Sequence, residues 1–102
     1  MNQVSANLCK NPRNIRIRIK TNCSKDDSIS SVRESCHTIE KKIARKCKKF
    51  FSLRFVSYNF SKVVTNEGMV EGEYIINLPY SLSFGAGAFV DKINKEFEEQ
   101  TS

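Results

Sequence analysis

The chain has 102 residues, 39% hydrophobic and 27% charged, with a net charge of +6. That is the length of one domain with apolar content enough for a core, which excludes wholesale disorder, and the apolar runs are too short for a membrane span. The charge is uneven: residues 1–51 hold thirteen lysines and arginines against four carboxylates, a net +9, and residues 52–102 hold four against seven, a net −3.

Residues 1–13 are polar and without a period, and Asn11-Pro12 is a turn signal. They read as a loose leader to a single domain over residues 14–102. Met1 to Lys20 contain no apolar stretch of the signal-peptide kind, so the expected location is intracellular, by default the cytoplasm.

Ile15, Ile17 and Ile19 then alternate with Arg16, Arg18 and Lys20. Period two with β-branched residues predicts a half-buried strand. Its isoleucines face the core and its cations line the other face, about 6.6 Å apart. Asp26, Asp27 and Ser28 follow as candidate helix caps, and Ser31 with Glu34 has capping-box spacing. Beyond them Ile29, Val32, Cys36, Ile39, Ile43, Cys47 and Phe50 recur every three or four residues, the stripe of an amphipathic helix. The pattern predicts one helix from about Ser28 to Lys49, about 33 Å long. Acids at its start and lysines at its end complement its dipole.

Residues 52–64 are rich in aromatic and β-branched types and read as a strand. Thr65 to Gly68 is a turn, and Met69 to Leu78 a second strand, so the pair predicts a hairpin. Pro79 ends it, lacking the donor. Ser81 to Ser83 suggests a short edge strand. Ser83 is then placed to cap a last helix with Ala86, Phe89, Val90, Ile93 and Phe97 inward. The order β-α-β-β-(β)-α describes an α+β fold: a small two-layer sandwich with the helices on one face of a mixed or antiparallel sheet.

Two basic rows carry the functional expectation. Arg33, His37, Lys41, Arg45, Lys48 and Lys49 fill an arc beside the helix's apolar stripe, and Lys42 and Lys46 extend it. Arg16, Arg18 and Lys20 make the second row. Cations spaced in this way suit phosphates along a backbone, fixing position without reading sequence. A solvated helix face, with strand cations that discourage edge pairing, is the plainer alternative. The expectation is a non-catalytic nucleic-acid-binding module, RNA before DNA, that uses Arg16, Arg18, Lys20, Lys41, Lys42, Arg45, Lys48 and Lys49. The alternative is a small interaction factor (an inhibitor, an immunity or accessory protein, or a subunit of an assembly) whose basic face docks an acidic protein surface.

Other constellations are weaker. Phe55, Tyr58 and Phe60 alternate with polar residues as base-stacking rings do, but core packing is the reading taken. Phe55-Val56-Ser57-Tyr58 resembles the tail of the RRM signature without its glycine and leading aromatic, and no closing strand follows the last helix, so no such assignment is made. Cys9, Cys23, Cys36 and Cys47 include no closely spaced pair, so neither zinc nor disulfides are expected. Cys36 and Cys47 fall in the apolar stripe as small core residues. His37 is the single histidine and has no nucleophile beside it on its own helix face. Glu71 and Glu73 share a strand face, which is read as solvated in preference to an acid–base pair. Phe84-Gly85-Ala86-Gly87 is read as close packing of a helix start in preference to an anion nest. No cofactor, metal, membrane or catalytic residue is expected.

Overall fold

The structure is a computed structural model that describes residues 3–11, 13–52 and 57–101. Its elements are β1 (Gln3–Leu8), β2 (Asn14–Lys20), α1 (Ile29–Ser35), α2 (His37–Phe51), β3 (Ser57–Val64), β4 (Val70–Asn77), a 3-10 turn (Tyr80–Gly85) and α3 (Ala86–Thr101). The four strands form one sheet in the order β1-β2-β4-β3, and every neighbouring pair is antiparallel. The domain is thus a two-layer α+β sandwich.

Alternation in β2 sets the layers. Ile15, Ile17 and Ile19 are fully buried and pair with Ile76, Tyr74 and Gly72 of β4. On the same face they meet Cys36, Ile43 and Cys47 from the first helices and Ala86, Phe89, Val90, Ile93 and Phe97 from α3. All the helices therefore lie on this face. The other face carries Arg16, Arg18, Glu71 and Glu73, and no helix among the described residues covers it. β2 and β3 run in the same direction with β4 inserted between them, a split β-α-β unit. The hairpin is closed by a turn with Gly68 at φ 78°, where glycine is at ease.

Three expectations are corrected. The leader is not loose: Gln3–Leu8 is a strand paired along its length with β2. Val4, Ala6 and Leu8 do alternate with polar residues, but Ser5, Ala6 and Asn7 are poor strand formers, so the pattern is weak. Tertiary contacts hold the strand. Asn94 of α3 accepts from the Ala6 N–H at 2.8 Å and donates to the Ala6 carbonyl at 2.9 Å, closing the outer edge of β1 there. In a β-α-β-β-α-β chain the fourth strand follows the second helix. Here it comes from the N-terminal end instead.

The single helix expected from Ser28 to Lys49 is two. Cys36 sits between them at φ −91° and ψ −4°, its N–H shared between the carbonyls of Val32 and Arg33. Here the helix packs closely on the sheet. A Cβ added to Gly72 of β4 would stand 2.7 Å from Cys36 Sγ and 3.0 Å from the Phe60 ring. The apolar stripe runs straight through the bend, which is why spacing does not reveal it. Finally, Ser81–Ser83 belong to the 3-10 turn and not to an edge strand. Pro79, at φ −58°, starts a tight turn in which Leu82 N–H reaches the Pro79 carbonyl. The first part of the strand expected over 52–64, residues 53–56, lies outside the described residues, and Ser52 is the left-handed C-cap of α2.

Candidate nucleic-acid interface

The structure separates the two basic rows. Arg16, Arg18 and Lys20 lie on the uncovered face of the sheet, whereas Lys41, Lys42, Arg45, Lys48 and Lys49 lie on α2 in the opposite layer. No single polyanion strand lying on one side of the domain touches both.

The rows differ in charge balance as well. Arg18 Nε donates to Glu73 Oε2 at 3.1 Å, and Arg16 Nε stands 3.8 Å from Glu73 Oε1. Lys20 faces Glu71 across the ladder. Glu71 is itself buried, so the expectation that both glutamates form a solvated face is corrected. Glu73 is occupied by two guanidinium groups, which leaves it poorly suited to acid–base work. This row is largely neutralised within the protein.

The α2 row is not. Lys41, Lys42, Arg45, Lys48 and Lys49 are all exposed, and among the described residues none of them makes an ion pair. Successive members three or four apart stand about 5–6 Å from one another at Cβ. Lys46 differs, since it reaches across to Glu96 of α3. Lys42, Arg45, Lys46 and Lys49 line a groove between α2 and α3 together with Glu96, the partner of Lys46. The face exists because the inward stripe of α2 (Ile43 and Cys47 buried) holds the helix against the sheet and turns every other residue outward.

The inner face of the same helix holds the one feature that sequence reasoning missed. Glu40 is only 8% exposed. Its carboxylate accepts hydrogen bonds from the hydroxyls of Tyr58 (β3) and Tyr74 (β4) and from Arg33 Nη2 (α1) at 3.2 Å. Burial alone pushes the Glu40 carboxyl upward, but the two phenols and Arg33 together outweigh it and hold the group below its ordinary range. Burial, then the hydrogen bond to Glu40, pushes Tyr74 and Tyr58 upward, so both stay protonated donors. A carboxylate with three donors, spanning both layers, is a fastener of the fold. Its signal in the sequence is a glutamate on the apolar stripe, between Cys36 and Ile43.

The remaining candidates also resolve into packing. Tyr58 and Phe60 face the helices and stack on Tyr74, with ring centroids 5.3 and 4.8 Å away. Lys62, on their face, donates to the carbonyls of Lys25 and Asp27. Phe55 lies outside the described residues. Cys36 and Cys47 are buried and burial pushes both thiols up to about 11, which keeps them protonated and unreactive. Among the described residues no three of His, Cys, Asp and Glu come together as metal ligands. A Cβ added to Gly85 would stand 3.3 Å from the Phe51 ring, so the position reads as close packing of the helix start. No helix among the described residues is long and apolar enough to cross a membrane.

The fold and surface thus define a small α+β domain with one unbalanced basic helix face. Comparison with protein-family models, curated proteins and solved structures finds no match to this chain.

Proposed function

We propose that the domain is a non-catalytic nucleic-acid-binding module, RNA before DNA, acting inside the cell, and that it binds through the outer face of α2. The observation that carries this reading is the set of five exposed cations, Lys41, Lys42, Arg45, Lys48 and Lys49, none of which makes an ion pair among the described residues. Such a face attracts phosphates and releases their counterions. Arg16, Arg18 and Lys20 are not part of the proposed contact, because they lie on the other layer, where Glu73 pairs with both arginines. The buried, protonated thiols and the fully engaged Glu40 support a non-catalytic role.

Fluorescence anisotropy with labelled RNA and DNA, between about 50 and about 200 mM salt, tests the reading. Contact with four or five phosphates gives a slope of log affinity on log salt of about −3 to −4. Lys41→Glu, Arg45→Glu and Lys48→Glu together abolish binding, and Lys20→Gln leaves it unchanged. Absence of binding at the lowest salt overturns the reading. The same face would then be tested against an acidic protein surface, by co-purification insensitive to nuclease.

A further inference from the structure

Phe84 is 89% exposed, far more than any other large apolar side chain among the described residues. Its position gives that exposure a use. α2 and α3 run antiparallel, since Phe50 and Phe51 stack on Phe89 while Lys46, one turn back on α2, reaches Glu96 further along α3. The cationic groove between the helices therefore points from Lys42 toward the C-terminal end of α2. At that end Phe50 is 37% exposed, with Lys92 Nζ 5.6 Å from its ring centroid. A Cβ built on Gly85 would lie 3.3 Å from the Phe51 ring and 3.7 Å from the Phe50 ring, which brings the neighbouring Phe84 to this end of the helix pair. Cations come first along the track and the exposed ring of Phe84 last.

From this we infer that the groove is a single-strand track: Lys42, Arg45 and Lys49 hold successive phosphates, Lys92 stands by Phe50 at the far end, and a base stacks on Phe84. The inference rests on the nucleic-acid reading above and narrows its ligand to single strands. A duplex offers phosphates to the lysines but keeps its bases stacked on each other, so it makes no use of an exposed ring. From Lys42 to Phe50 is about 12 Å along the helix, enough for about two nucleotides of extended strand.

The test uses the intact chain with a labelled single strand and its duplex. The wild type binds the single strand more tightly. Phe84→Ala, at a position too exposed to disturb the fold, weakens single-strand binding roughly tenfold and leaves duplex binding and the salt slope unchanged. The chain has no tryptophan, so Phe84→Trp places a lone fluorophore at the site, which a saturating single strand quenches and a duplex does not. If Phe84→Ala binds as the wild type does while Lys49→Glu weakens both ligands, the track is overturned and the broader polyanion reading stands. A duplex bound as tightly as its single strand, or an unquenched Phe84→Trp, overturns the track too. If the wild type binds neither ligand, both readings fall together.

Discussion

The two faces of α2 treat charge in opposite ways. On the inner face one carboxylate, Glu40, is matched by Arg33, Tyr58 and Tyr74. On the outer face five cations make no ion pair in the described part of the domain. A charge taken out of water must be satisfied by the protein, so it is tied to the fold. A charge left in water makes no such demand and stays free for a partner. Burial and pairing, not the count of charges in the sequence, decide which residues belong to stability and which to recognition. The β2 row falls between the two, with Arg16 and Arg18 half-exposed and paired with Glu73.

The sharpest way to break this contrast is at Glu40. Glu40→Ala leaves two buried phenols without an acceptor and Arg33 without its anion, and is expected to destabilise the domain by about 3 kcal/mol in urea denaturation. Glu40→Gln keeps the shape and one acceptor and costs about half as much. The pH dependence has a definite sign. The folded carboxyl titrates below its unfolded value of about 4.3, so its stabilisation is fully present above that pH. It is lost as pH falls through the folded value. The stability gap between wild type and Glu40→Gln should therefore be constant from neutral pH to about pH 4.5 and shrink below it. A gap independent of pH down to acid would show that the carboxylate contributes shape and not charge.

Gly72→Ala probes the same joint from the sheet side and is expected to cost about 2 kcal/mol, because the added methyl meets Cys36 Sγ at 2.7 Å. Coupling with Cys36→Ala tests the cause. The smaller side chain relieves the clash, so the double variant should be more stable than the sum of the two losses implies.

These two positions also mark how much was legible from sequence. The strand at Ile15–Ile19, the hairpin around Gly68 and the inward set Phe89, Ile93 and Phe97 follow from periodicity, which local pattern carries. β1 does not, because its order comes from Asn94, 88 residues away from Ala6 in the chain. The bend at Cys36 answers to a glycine on β4 and leaves no mark in the helix's own spacing. The cations of the candidate site were all visible as residues. Their division into a balanced row and an unbalanced one was not, since it depends on which strand lies beside β2. In the sequence Phe84 is only part of a glycine-rich helix start, because exposure cannot be read from one residue's type.

Glu73→Gln tests the intermediate row. Arg16 and Arg18 keep 43% and 41% of their side-chain surface exposed, so solvent screens the pair and the loss should be only about 0.5 kcal/mol. Polyanion affinity should be unchanged, because the freed guanidinium groups lie on the far layer from α2. An increase in affinity comparable to the loss from Arg45→Gln would place the uncovered sheet face in the interface.

The outer face itself gives the smallest effect on stability, and one of opposite sign. Arg45 has like-charged neighbours at Lys41, Lys42, Lys48 and Lys49, each three or four residues away on the same helix. Each such pair opposes the helix by about 0.2–0.5 kcal/mol. Arg45 sits too far from the helix end to be repaid by the dipole, unlike Lys48 and Lys49. Arg45→Gln should therefore raise stability by about 0.5–1 kcal/mol, and less at high salt, where the repulsion is screened. The same variant should weaken nucleic-acid binding and make the salt slope shallower by about 1. Gain of stability with loss of binding would mean that the face is held at the fold's expense for the sake of its partner. If stability rose and binding did not change, the repulsion would be real but the face would have no polyanion to meet.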